Sequence, residues 1–354
     1  MRRRWKITLG VVVSIVALAV GTFLWLMLKP AKPAAIVMPG PPGKRIDDGL
    51  VFGNYFPSRL PGRAPAILLL GGSEGGLGQD IVAEAKLLQL AGFNVLQLGY
   101  FNVPGRLSKL DHVPLETFLR ALEWLKRRAD VEPDAIGIVG YSKGAEAALL
   151  VATRYPGIRA VVAGMPSSVV WDALSIRGFV FGTSSWTVDG RGLPSLSYGS
   201  GDGKRELLPR FVNALATLER HPETVIPIER YPGALMLVCG EKDTLWPSCP
   251  MARQIVRRAT TGGRPAPQLL AYPDAGHGVM GAPAGPNGRA IRKWTVLGGD
   301  ADGNAAARRD GWPRIVAFLR DSLKARTRDV DAGERATRLR TRIVPRRGTA
   351  DEAG

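Results

Sequence analysis

Two serines stand in the pattern G-x-S-x-G, as G-G-S-E-G around Ser73 and as G-Y-S-K-G around Ser142. Acyl chemistry on a serine needs a base to take its proton, a group to orient that base, and N–H donors for the developing oxyanion. The pattern alone does not choose between the two serines, but their surroundings do. A nucleophile elbow needs a strand before the serine and a helix starting at it. Ser142 follows A-I-G-I-V and precedes K-G-A-E-A-A-L-L-V-A, a strong helix former. Ser73 is followed by E-G-G-L-G, where a helix cannot begin at once. Ser142 is therefore the candidate nucleophile. Ser73 falls in a glycine-rich loop after the first apolar strand, where a second oxyanion donor is expected. The donors are then the backbone N–H of Lys143 and that of Gly72 or Ser73, with no role required of the Lys143 side chain.

The base must come from three histidines, His112, His221 and His277. His112 precedes the helix before the elbow strand, and His221 precedes Pro222, so both read as surface residues. His277 lies in P-D-A-G-H-G directly after the last apolar strand, the place of the base in a Ser, acid, His chain order. The acid should end the preceding strand, where G-E-K-D-T-L-W-P offers Glu241 and Asp243. Asp243 is the choice, because two residues into the loop its carboxylate can turn back over the sheet; Glu241 is the alternative. Neither phosphate-loop pattern, G-x-x-x-x-G-K-[ST] or G-x-G-x-x-G, stands at the Ser73 or Ser142 turn, and the sequence calls for no metal and no cofactor.

These residues need a scaffold that puts strand ends on one side. From Pro65 onward, short apolar runs alternate with helical stretches, which predicts a mostly parallel sheet with helices on both faces. Strands are expected at Ala66–Leu70, Asn94–Tyr100, Ala135–Val139, Ala160–Ala163, Ala234–Cys239 and Gln268–Tyr272. Helices are expected at Ile81–Leu90, Leu115–Arg128, Lys143–Arg154, Pro250–Ala259 and Trp312–Leu323. The alternation breaks at about 166–232, a Gly- and Ser-rich insertion with the character of a lid. Its aromatics Trp171, Phe179, Phe181 and Trp186 are candidates to line an apolar acyl site, with Trp171, Phe181 and Trp186 foremost. The alternative is that they only pack the insertion against the body.

The ends of the chain differ from this core. Arg2, Arg3, Arg4 and Lys6 precede an uncharged run from Ile7 to Leu28, long enough to cross a bilayer. Residues 1–28 thus read as a transmembrane anchor with the catalytic domain on the extracytoplasmic, periplasmic side; a cleaved signal peptide is the alternative. Residues 29–64 read as linker and leader, 65–324 as the catalytic domain, and 325–354 as a basic disordered tail. The formal net charge is +17, of which residues 324–354 supply nine cations against five anions. Without interleaved aromatics, zinc spacing or a recognition helix, this charge points away from nucleic acid and toward a solvated tail or anionic lipid. Two cysteines make no disulfide framework; Cys239 suits a small buried thiol, with a bridge to Cys249 left open.

At G-Y-S-K-G-A-E, G-E-K-D-T-L-W-P-S, Y-P-D-A-G-H and the late G-G-D-A-D-G-N-A-A-A-R-R-D-G-W, the chain resembles the C-terminal catalytic domain of the bile acid-CoA:amino acid N-acyltransferase and acyl-CoA thioesterase family. The resemblance spans about residues 65–324. It implies an α/β-hydrolase fold of dienelactone-hydrolase type and a Ser142, Asp243, His277 triad acting through an acyl-enzyme. In the family, cysteine as nucleophile goes with transfer to an amino acid and serine with hydrolysis, so the implied reaction is hydrolysis of a small acyl thioester or ester. Transfer to an amine or alcohol, and carboxylesterase or lactonase activity, are the alternatives. The family's N-terminal β-sandwich has no counterpart here, and the sequence leaves the oligomeric state open.

Overall fold

The structure is a computed structural model that describes residues 2–201, 206–261 and 266–342. Its strands are β1 (Lys44–Asp47), β2 (Phe52–Phe56), β3 (Ala64–Leu70), β4 (Asn94–Leu98), β5 (Val113–Pro114), β6 (Val131–Tyr141), β7 (Ala160–Gly164), β8 (Trp186–Val188), β9 (Arg191–Gly192), β10 (Ala234–Gly240) and β11 (Gln268–Tyr272). Its helices are α1 (Arg2–Leu28), α2 (Gln79–Leu90), α3 (Glu116–Lys126), α4 (Lys143–Ala152), α5 (Ile176–Phe181), α6 (Leu208–Leu215), α7 (Ser248–Thr261), α8 (Arg289–Trp294) and α9 (Ala301–Arg342). Eight strands form one sheet in the order β1-β2-β4-β3-β6-β7-β10-β11. From β4 to β11 all neighbours are parallel, while β1 and β2 add antiparallel to that edge.

Strand β3 shows why this sheet is covered twice. Leu68 and Leu70 enter one core cluster and Ile67 and Leu69 the other, all fully buried. That is the period of two expected of a strand buried on both faces. Helices α3, α4 and α7 cover the first face, with Phe118, Leu122, Leu149 and Ile255 in its core. The second face is covered by α2 and α9, through Ile81, Leu88, Ile315 and Leu319.

Three departures from the sequence reading concern the two ends of the domain and its cysteines. The sheet begins at Lys44, inside the stretch 29–64 expected to be linker and leader. Strand β2, F-G-N-Y-F, is buried throughout and gains its structure by pairing with β4, a long-range partner that local composition does not reveal. At the other end, α9 continues to Arg342, where a disordered tail was expected from 325. Residues 343–354 of that tail lie outside the described residues. Third, Cys239 is not a free thiol: it pairs with Cys249, joining β10 to the first turn of α7 across a Cα separation of 5.1 Å. The nine residues between them fold back from strand to helix and bring the two together.

The insertion at 166–232 carries α5, α6 and a small sheet in the order β5-β8-β9. Because β8 pairs with β5, just before α3, the insertion is tied to the body on the side facing the elbow. At the N-terminus, Val11–Leu28 of α1 is long and apolar enough to cross a membrane, a test that a signal sequence also passes, and none of it is buried against the body. Near its end Phe23 meets Phe181 of α5 edge-on at 6.4 Å, and Lys109 Nζ donates to Met27 O at 2.7 Å.

Candidate active site

The elbow is built by strain and by missing side chains. Ser142, between β6 and α4, has φ 53° and ψ −118°, a conformation that L residues seldom adopt and that persists only where the surroundings enforce it. The enforcement is visible in the flanking glycines. A Cβ on Gly144 would stand 2.2 Å from Gly71 O, and one on Gly140 2.4 Å from Gly144 O, so strand, helix and the loop after β3 close together only with glycine at both places. The turn lifts Ser142 to the floor of a pocket it shares with His277.

His277 follows β11 and its Nδ1 lies 2.9 Å from Asp243 Oδ2. Both residues are buried. The second carboxylate oxygen of Asp243 accepts from the N–H groups of Leu245 at 3.0 Å and Trp246 at 3.3 Å, which fixes the side chain over the strand end. With Nδ1 held this way, Nε2 is the ring nitrogen left for a proton from serine. Glu241, the alternative acid, instead pairs at the surface with Arg253. His112 is bound to Asp111 and His221 pairs with Glu223, both away from Ser142.

The oxyanion donors divide differently from the expectation. The Gly72 N–H already donates to Glu74 Oε1 at 2.9 Å. Ser73 remains in the loop facing Ser142, and Lys143 opens α4, where the first amides of a helix have no partner in its own ladder. The Lys143 side chain, expected to be incidental, is buried against Glu146 with Nζ to Oε2 at 2.7 Å. Glu146 Oε1 also accepts from the Trp171 N–H at 3.0 Å and the Trp186 Nε1–H at 2.7 Å, so this pair holds the insertion onto the elbow helix. An E four residues after the serine was the available signal, hidden by the ordinary appearance of glutamate in a helix.

Two hollows flank Ser142. One is aromatic, lined by Trp171, Leu174, Tyr198, Phe211, Leu245 and Trp246. The other mixes charge with thioether and indole, through Glu74, Glu84, Met165, Met280, Trp294 and Arg308. Of the aromatics expected to line an acyl site, only Trp171 does. Trp186 is fully buried, packed on Tyr100 and Phe118 behind the site, and Phe181 is 61% exposed on the outside of the insertion. Side-chain type made them candidates; the direction in which α5 and β8 present them removed them. Phe211 and Trp246 were missed because they lie far apart in the chain and meet only in the fold. Among the described residues no group of His, Cys, Asp or Glu is arranged to hold a metal ion.

A parallel sheet with helices on both faces, a serine at positive φ between β6 and α4, and an Asp–His pair beyond β10 and β11 define an α/β-hydrolase. Its fold is similar to an esterase of Pyrococcus furiosus, at a TM-score of 0.52 and 16% identity over 84% of this chain and 98% of that one. The chain belongs to the BAAT / acyl-CoA thioester hydrolase C-terminal family, whose model matches residues 113–325. Among curated proteins it is 28% identical to acyl-coenzyme A thioesterase 1 of Homo sapiens over 80% of this chain, and 28% identical to acyl-coenzyme A amino acid N-acyltransferase 2 of Mus musculus over 81%. It spans 66% of the human protein and 67% of the mouse one.

Proposed function

We propose that the protein is a membrane-anchored serine hydrolase that cleaves an acyl thioester or ester through an acyl-enzyme on Ser142. The observation that carries this reading is the 2.9 Å contact between His277 Nδ1 and Asp243 Oδ2 in the pocket that also holds the strained Ser142. In this reaction His277 Nε2 takes the Ser142 proton as Oγ bonds to the acyl carbon, and the N–H groups of Lys143 and Ser73 receive the oxyanion. His277 then returns the proton to the departing sulfur or oxygen. Water, deprotonated by the same imidazole, releases the acid. Among the described residues Ser142 Oγ has no hydrogen-bond partner, and such contacts in free enzymes commonly close only when substrate arrives. The aromatic hollow suits the acyl chain and the charged one the leaving group.

The domain that does this extends from Lys44 to Lys324, with α1 as anchor and the catalytic side extracytoplasmic. The Cys239–Cys249 disulfide supports that side, since such bonds persist where the cytosolic thiol pool does not reach. Coenzyme A would not ordinarily be present there, which favours simple esters, lactones or lipid thioesters. A panel of acyl-CoA, acyl ester and lactone substrates, with and without an amine acceptor, tests the proposal against the Ser142→Ala variant. Activity independent of Ser142, or product formed only with acceptor, would overturn it.

A further inference from the structure

The proposed reaction makes no use of α5, I-R-G-F-V-F. Its last turn exposes Phe179, Val180 and Phe181 to 46%, 54% and 61%, an apolar tip where single exposed residues would be ordinary but three in succession are not. Phe181 abuts Phe23 of α1 with ring centres 6.4 Å apart. Phe23 lies five residues before Leu28, or about 7.5 Å along the helix axis. On the reading that α1 spans the bilayer and leaves it at Leu28, Phe181 stands at the depth that interfacial helices reach, about 5–10 Å into the headgroup and acyl boundary.

The surroundings have the matching charge. Lys109 donates to the end of α1, and Arg106, Arg120 and Arg177 line one open hollow, with Leu107 beside them 48% exposed. An apolar tip set among cations complements an anionic lipid surface. Inward from the tip, Phe179 stacks on Tyr198 at 4.5 Å, and Tyr198 on Trp171 at 6.0 Å. Tyr198 and Trp171 both line the aromatic hollow beside Ser142.

We infer that α5 is seated in the anionic phospholipid bilayer that α1 spans, and that the acyl chain of a membrane-resident ester or thioester passes along Phe179 and Tyr198 to Ser142. This rests on the anchored-hydrolase reading, and the test separates the two. The full chain, reconstituted in phosphatidylcholine vesicles containing phosphatidylglycerol, is spin-labelled at Phe181→Cys, Val16→Cys or Val296→Cys; the native cysteines are paired with each other and stay unlabelled. The Phe181 label should collide with oxygen and be shielded from a water-soluble nickel complex, in contrast to the label at the exposed Val296. A Phe181 label as open to nickel as that at Val296, or shielded from both reagents as by a second copy of the chain, overturns the inference. The Val16 label reports separately whether α1 is in the bilayer. Val180→Ser/Phe181→Ser should lower turnover of a vesicle-borne long-chain ester about tenfold and leave a water-soluble short ester unchanged. Equal effects on both esters overturn the acyl-chain route.

Discussion

The ammonium of Lys143 lies 2.7 Å from the Glu146 carboxylate, and both are sealed inside the protein directly behind the elbow serine. Removing one member of a buried ion pair leaves the other charge uncompensated. Lys143→Met should therefore destabilise the protein by roughly 3–5 kcal/mol in urea denaturation. Glu146→Leu should cost at least as much, because the Trp171 N–H and the Trp186 Nε1–H lose their acceptor as well. A double variant that recovers part of the loss would show that the charges, rather than the volumes, dominate the single effects.

Substitution within the proposed triad should not be additive. Ser142→Ala and His277→Ala, alone or together, should each lower kcat by about 10⁴ to 10⁶. Asp243→Asn should be severe, whereas Glu241→Gln should be mild, since Glu241 pairs with Arg253 at the surface. Steady-state kinetics on one ester decides this; a dead Glu241→Gln beside an active Asp243→Asn would reverse the assignment of the acid.

The aromatic hollow predicts where chain-length preference resides. Phe211→Ala enlarges the space beside Ser142 and should move the optimum toward longer or bulkier acyl groups, while Phe181→Ala should leave a soluble ester series as it was. Profiles of kcat/KM against acyl length, compared for the two variants, measure the difference.

Stability should fall as pH rises from about 4.5 to about 7, because burial pushes the Glu84 carboxyl from 4.5 up to about 7, against the opposing pull of Tyr141 and Arg308. Between those values the folded chain binds the proton more tightly than the unfolded one, so each pH unit upward removes up to about 1.4 kcal/mol. Below that window the effect vanishes, and above it the loss is complete at about 3 kcal/mol. Denaturation of Glu84→Gln across the same pH range should lack this component.

Topology has its own outcome. A reporter fused after residue 330 should be active only outside the cytoplasm, and the protein should stay with membranes in high salt. Release by salt, or a reporter active in the cytoplasm, would return acyl-CoA to the head of the substrate classes.

Much of the core was legible in the sequence because it is locally encoded. The run A-I-G-I-V before Ser142 and the helix formers after it place strand and helix without long-range information, and Gln268–Tyr272 appears as a strand with the ends expected. What escaped depends on partners distant in the chain. F-G-N-Y-F becomes β2 only against β4, and the aromatic hollow gathers Trp171, Phe211 and Trp246 from three segments. Phe181 and Trp186 were chosen by ring type, which says nothing about facing.

The segment between α1 and the sheet bears on what any proteolytically shortened form of the enzyme can do. Val37 N–H donates to Leu77 O, Asn102 Nδ2 binds Lys32 O, and Ala35 and Val37 line the charged hollow at Ser142. That segment is thus also a piece of the pocket wall. A protease that cut between Leu28 and Lys32 would leave a catalyst with its wall in place, whereas a cut just before Lys44 would leave one open on that side. Chains trimmed at the two places should differ in selectivity for the leaving group while sharing the same nucleophile, so the cleavage point itself would act as a selector of what the trimmed enzyme hydrolyses.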